Sequence, residues 1–203
     1  MYKYIIFFLF MICIGACAHI SKNYEYITIQ GAAQGTYYRV VLQSNNQTHN
    51  IEYQIDSVLQ SFDSLFNNYI DYSLISRINA NDTSAQIHPQ FAYFWGKSSD
   101  IWTKTNGAFD ISIAPIINAW KFGFKQDSLI PTPQKISELL QLKGMDKMGI
   151  RNNRFYKENP NMQIISNAIA QGYSVDIVCR FLDSQNIDNY LVDIGGEMKA
   201  KGL

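Results

Sequence analysis

Apolar residues recur along this chain in two rhythms, every three to four residues or every second residue, and the changes of rhythm predict a series of helices and strands. From Ile51 onward, Ile55, Val58, Leu59, Phe62, Leu65 and Phe66 return at helical spacing, with Glu52, Gln54, Asp56 and Ser57 between them. That spacing predicts a helix with one buried face. A second helix is expected to open near Pro89, where a missing N–H is tolerated. It carries Phe91, Phe94, Trp95 and Trp102 and ends at Asn106-Gly107, a left-handed cap. Thr132-Pro133 opens a third, which stops near Gly144. A fourth, from about Ala170 to Ser184, puts Val175, Val178 and Leu182 on one face beside Cys179, read as a small buried hydrophobe.

Strand signals lie between these helices. Tyr26 to Leu42 is rich in β-branched and aromatic residues and is interrupted at Gly31-Ala32-Ala33-Gln34-Gly35, predicting two strands around a tight turn. Lys147 to Ile150 and Arg154 to Lys157 flank Arg151-Asn152-Asn153, which favours a hairpin. Tyr190 to Ile194 forms a short strand running into Gly195-Gly196. Strands and helices mixed without strict alternation predict an α+β fold. There is no internal repeat and no low-complexity tract.

Composition narrows the picture. At 203 residues and 47% hydrophobic, the chain has enough apolar surface for one core and too little for two full domains. Lys+Arg and Asp+Glu balance at 17 each, so no basic field exists to attract nucleic acid, which is excluded as the expected partner. Of the three cysteines, Cys13 and Cys17 lie in the leader and Cys179 stands alone in the body, which removes disulfide and zinc readings. Lys3 followed by the apolar run from Tyr4 to Ile14 has the form of a secretory leader and is too short to span a bilayer. It ends in Ile14-Gly15-Ala16-Cys17, which looks like a bacterial lipobox. Residues 1–17 are therefore expected to be a lipoprotein signal peptide with lipid on Cys17, 18–23 a spacer, and 24–203 the folded domain. That domain would be tethered to a membrane in the cell envelope, facing the periplasm.

Three segments carry candidate chemistry. Thr105-Asn106-Gly107-Ala108-Phe109-Asp110 leaves a helix through a glycine, so an exposed Ala-Phe-Asp can present amides, an aromatic face and a carboxylate to a planar polar ligand. A helix cap leading into a core aromatic explains the same residues. Asn167-Ala168-Ile169-Ala170-Gln171-Gly172 enters a helix through small residues, so backbone groups can approach a phosphate. Val192-Asp193-Ile194-Gly195-Gly196-Glu197 ends a strand in paired glycines, for a turn or for close backbone approach.

In their order these segments resemble the ApbE family of FAD:protein FMN transferases, together with Gln34-Gly35-Thr36-Tyr37 and the stretch from Tyr69-Ile70-Asp71-Tyr72-Ser73 to Arg77-Ile78-Asn79. The resemblance covers nearly everything after the leader. It implies a T-fold-related α+β domain that binds FAD as substrate, splits its pyrophosphate with Mg2+, and attaches FMN to a threonine of an acceptor, expected to be a flavoprotein subunit of an envelope electron-transfer complex. Carried over by position, Gln34, Tyr69, Ala108, Phe109, Asp110 and Gln171 would contact the cofactor, and the Ala168 carbonyl would reach the magnesium. The chain departs from the family at Ile165, where an Asp is usual, at Ser166, where an apolar residue is common, and at Gln171, where Lys or Glu is frequent. The family's histidine and the Asp and Thr that complete its metal site would lie beyond Leu203, so the catalytic residues are expected there and this stretch alone is expected to be weak or inactive. His19, His49 and His88 match none of them. The competing readings are an FAD pyrophosphatase and a flavin-binding lipoprotein without catalysis.

Overall fold

A computed structural model describes residues 25–44, 48–120 and 130–202. The leader, the spacer with Cys17 and His19, and the Phe122-Gly123-Phe124 segment lie outside the described residues. The architecture is α+β. The main sheet is four-stranded and antiparallel, in the order β1-β2-β5-β6, and a two-stranded hairpin, β3-β4, stands apart from it.

β1 (Tyr26–Ala33) and β2 (Thr36–Gln43) pair along their whole length, from Tyr26 opposite Gln43 to Ala33 opposite Thr36. The strand therefore runs through Gly31 to Ala33, and the turn shrinks to Gln34-Gly35. Gly31 is tolerated in β1 because the Tyr38 ring packs where its side chain would be: a Cβ there would come within 2.6 Å of the ring. β5 (Tyr190–Ile194) pairs with β2, and β6 (Glu197–Lys201) pairs with β5 across Gly195-Gly196, both at positive φ. The hairpin of β3 (Met148–Arg151) and β4 (Arg154–Lys157) turns on Asn152 (φ 50°) and Asn153 (φ 58°), the tight-turn chemistry expected of paired asparagines.

Six helices fill the rest of the described fold: α1 (Ile51–Phe66), α2 (Leu74–Asn79), α3 (Pro89–Lys104), α4 (Ala114–Ala119), α5 (Pro133–Leu140) and α6 (Asn167–Ser184). α3 begins at Pro89 as predicted, and His88 caps it, its Nδ1 accepting from Gln90 N at 3.2 Å. α6 starts at Asn167, three residues before its expected start.

α1 and α6 join two cores. Ile51, Ile55 and Leu59 of α1 pack with Val175, Val178, Cys179 and Leu182 of α6 against the sheet. One to two turns further along α1, Phe62 and Phe66 turn to a second core with Phe91, Phe94 and the hairpin's Met148, where α6 contributes Ile169, Ala170 and Tyr173. The rings form a connected stack: Phe66 lies 4.6 Å from Phe62, 5.0 Å from Phe94 and 5.6 Å from Tyr173, centroid to centroid. The C-terminal end of α1 and the N-terminal end of α6 are thus held side by side above an aromatic floor. Among the described residues no helix is long and apolar enough to cross a membrane.

Candidate functional site

A cavity of about 230 Å3 opens where those helix ends meet the β1–β2 turn. Phe62, Phe66 and Ala170 supply its apolar floor; Gln34, Asp63, Asn67, Asn68, Tyr69, Ser166, Asn167 and Gln171 supply a polar rim. Three of the sequence-predicted cofactor residues, Gln34, Tyr69 and Gln171, are more than thirty residues apart in sequence and share this cavity.

Gln34 is the most constrained of them. It sits at φ 55°, in the left-handed region that a glutamine seldom occupies. Its Oε1 accepts from Ser174 Oγ at 3.2 Å, while its Nε2 is buried with no hydrogen-bond partner. A buried amide donor without a partner costs about 1–3 kcal/mol unless something satisfies it. Gln171 is held from the other side, its Nε2 donating to Ile194 O at 3.0 Å. That contact requires Gly195, since a Cβ there would overlap Gln171 Nε2 and come within 2.7 Å of Thr36 Cγ2. The paired glycines therefore serve both as a turn and as a point of close approach to the cavity wall.

Tyr69 follows α1 in a loop built on asparagines. Asn67 Oδ1 accepts from Tyr69 N at 2.8 Å, Asn67 O accepts from Ser73 Oγ at 2.7 Å, and the Tyr69 hydroxyl accepts from Asn167 Nδ2 at 3.3 Å. Tyr69 is 62% exposed at the cavity rim. Asp63, on the last turn of α1, is the carboxylate of the rim, and burial raises its pKa above the ordinary value against an opposing hydrogen bond from Asn67.

The strap 162–166, which leads into α6, brings Ser166 to the cavity at its end. Asn79 grips it like a neighbouring strand: its Nδ2 donates to Ile164 O and its Oδ1 accepts from Ile164 N, both at 2.8 Å. Asn68 Nδ2 also donates to Ile164 O, at 3.2 Å, and Asn68 Oδ1 accepts from Ser166 N at 2.9 Å. The Ser166 hydroxyl is buried within reach of both Phe66 O (2.6 Å) and Asn68 Oδ1 (2.7 Å). Ile165, at the family's usual Asp position, is buried and its N–H donates to Ile111 O at 2.8 Å, so its side chain belongs to the core.

The remaining candidates, Ala108, Phe109, Asp110 and Ala168, are not among the residues that line the cavity. Ala108 is exposed and Phe109 packs partly into the second core. Asp110 is buried, not exposed as the sequence suggested: its Oδ1 accepts from Ser112 N at 2.8 Å and from Ser112 Oγ, whose oxygen accepts from Gly144 N at 2.7 Å. That carboxylate closes an Asx turn and pins the start of the 145–147 turn. Ala168 lies exposed in the first turn of α6, between the lining residues Asn167 and Ala170. Among the described residues no three His, Cys, Asp or Glu side chains cluster to hold a metal ion. Within this stretch the resemblance assigns to magnesium only the Ala168 carbonyl, and the described residues do not by themselves make a magnesium shell.

Sequence reasoning missed Asp63, Asn67 and Asn68, and named Asn167 only as part of the segment entering α6. The signal available was the pair Asn67-Asn68 directly after a helical apolar face, where two adjacent amides can cap, turn and bridge.

Comparison with known proteins identifies the family and the fold. The ApbE family model matches residues 34–203. A protein from Haemophilus influenzae named FAD:protein FMN transferase is 30% identical over 200 residues, covering 91% of this chain and 57% of the relative. The solved flavin transferase ApbE from Vibrio cholerae superposes with a TM-score of 0.83 at 27% identity, covering 89% of this chain and 60% of that one. The apo flavinyl transferase ApbE of Pseudomonas stutzeri gives 0.79 at 25% identity, covering 88% and 59%. The chain thus spans somewhat more than half the length of the relatives it matches, and over that span it belongs to the ApbE family.

Proposed function

We propose that this chain forms the flavin-binding part of an FAD:protein FMN transferase. The observation that carries the reading is the meeting of Gln34, Tyr69 and Gln171 in one cavity, with Gln34 Nε2 buried and unpaired at its wall. The cavity chemistry suits a planar heterocycle rich in carbonyl and N–H groups. Its rim offers five side-chain amides and a phenol, its floor offers Phe62 and Phe66, and none of its described lining residues is Lys or Arg. The start of α6 at Ser166 and Asn167 adds the positive end of an 18-residue helix, favourable to a phosphate at the cavity mouth.

In the reaction, the threonine hydroxyl oxygen of the acceptor bonds to the phosphorus of the FMN half. The bond from that phosphorus to the bridging oxygen breaks, AMP leaves carrying that oxygen, and the hydroxyl proton is released. The task of the described residues is positioning: Tyr69 and Gln34 fix the heterocycle, and the strap and the start of α6 fix its distance from the phosphates. Magnesium dependence, the lipid anchor on Cys17, a periplasm-facing envelope location and an acceptor in an envelope electron-transfer complex belong to this proposal. The lipobox and the family resemblance support them.

The test is to incubate the intact protein with FAD, magnesium and an envelope flavoprotein carrying the acceptor threonine. The expected result is covalent flavin on a threonine with AMP released in equal amount. Free FMN and AMP with unlabelled protein would make it a pyrophosphatase, and FAD binding without turnover would make it a binding protein.

A further inference from the structure

We propose that Lys157 is a positioning residue for the cavity: its ammonium fills a cage of main-chain carbonyl oxygens and thereby fixes the strap that delivers Ser166 to the cavity. Lys157 ends β4, and its three N–H donors lie among four main-chain oxygens, with Nζ 2.9 Å from Met162 O, 3.1 Å from Ile78 O, 3.3 Å from Pro160 O and 3.5 Å from Asn79 O. Two of those oxygens are the last carbonyls of α2, which carry the negative end of the helix. The side chain makes no ion pair with a described carboxylate. The charged residues around the same hollow are Asp82 and Arg154, and the Asp82 carboxylate is held by Arg77 at 2.7 Å. A half-buried ammonium without a counter-ion persists when oxygen dipoles replace its water, and here four do. Burial draws its pKa down to about 8, while the carbonyl oxygens favour the charged form.

The cage is coupled to the cavity by contiguous hydrogen bonds. Met162, whose carbonyl Lys157 holds, begins the strap. Asn79, whose main-chain oxygen belongs to the cage, grips Ile164 with its side chain. Ile164 O is shared with Asn68, and Asn68 holds Ser166; Asn68, Ser166 and Asn167 all line the cavity. Removing the ammonium leaves four carbonyl oxygens facing one another across a hollow and frees both the end of α2 and the start of the strap. Lys157 lines none of the cavity, so it acts on the ligand only through Asn79 and the strap.

The flavin part of this inference rests on the proposed function, and the structural part does not, so two readouts are needed. Lys157→Met keeps the aliphatic stem and removes the charge. It is expected to speed hydrogen exchange at the Ile164 and Ser166 amides by about tenfold and to weaken FAD binding by the intact protein about fivefold. In Lys157→Ala, methylammonium is expected to restore both values towards wild type, and tetramethylammonium, which cannot donate hydrogen bonds, neither. Unchanged exchange at both amides in Lys157→Met would overturn the proposal. Faster exchange with unaltered FAD affinity would overturn the link to the cavity. Should Lys157→Met not fold, rescue of Lys157→Ala by methylammonium decides the matter, and its failure overturns the cage. Absence of flavin binding by the wild-type protein would sink the proposed function and leave the exchange result to judge Lys157.

Discussion

Gly195→Ala should damage both the fold and the cavity, for reasons separable by experiment. Three costs are expected. An alanine at φ +56° costs about 1–2 kcal/mol from backbone crowding alone. Its Cβ displaces the Gln171 amide, losing the 3.0 Å bond to Ile194 O, worth about 1 kcal/mol. It also presses on Thr36 Cγ2 at 2.7 Å, costing about 1 kcal/mol more after adjustment. Together these give a loss of about 3–4 kcal/mol, read as a shift in urea midpoint at unchanged slope. Gly196→Ala is the internal control: nothing lies within 4 Å of the added Cβ, so it carries the backbone cost alone, which at φ +97°, outside the left-handed basin, is no smaller than at Gly195 and amounts to about 2 kcal/mol. In a double-mutant cycle, Gln171→Ala should cost less in the Gly195→Ala background than in wild type, by about 1 kcal/mol. A Gly195→Ala protein no less stable than Gly196→Ala would refute the close-approach argument.

Further expectations follow from the same geometry. Asn79→Leu leaves the Ile164 N–H and C=O short of their strand-like partner and should cost about 2–3 kcal/mol by denaturant unfolding, whereas Asn81→Gly, which keeps the left-handed φ of 60° and loses one exposed bond to Pro160 O, should cost under about 1 kcal/mol. Because burial raises the Asp63 pKa, the fold favours its protonated form. Stability from this group is full below its ordinary pKa and falls as pH rises through the raised value. Asp63→Asn should therefore raise the melting temperature at pH 7, with the gain vanishing in strong acid; a gain that persists at low pH would contradict the burial argument. Ser166→Ala removes a buried hydroxyl held by Phe66 O and Asn68 Oδ1 and should cost about 1–2 kcal/mol in unfolding free energy while weakening FAD binding.

The long helices and the β1–β2 and β3–β4 hairpins were legible because each carries several periods of its own pattern or a turn with its own chemistry, as at Asn152-Asn153. α2 and α4 were not: each spans six residues, fewer than two turns, and each is held by tertiary packing of Leu74, Ile75 and Ile78 or of Ala114 and Pro115. β6 was invisible because Glu-Met-Lys-Ala-Lys is exposed at every position, and pairing with β5 alone makes it a strand. At the site, position in a family pattern brought Gln34, Tyr69 and Gln171 to notice, and the cavity unites them. Asp110 shows where local reading fails. The motif suggested an exposed carboxylate, and only the fold reveals Ser112 and Gly144 as its neighbours. Asn68 and Asn79, which hold the strap, were given no site role in the sequence, because a side-chain amide that imitates a strand partner leaves no periodic trace there.

The most direct test of the central claim is an FAD titration of the intact protein, followed by flavin fluorescence, for wild type, Gln34→Ala and Tyr69→Ala. Loss of a buried amide donor or of an aromatic wall should weaken binding about tenfold in each variant with the fold retained. If wild type binds FAD and neither substitution alters its affinity, the cavity between α1, α6 and the β1–β2 turn is not the flavin site.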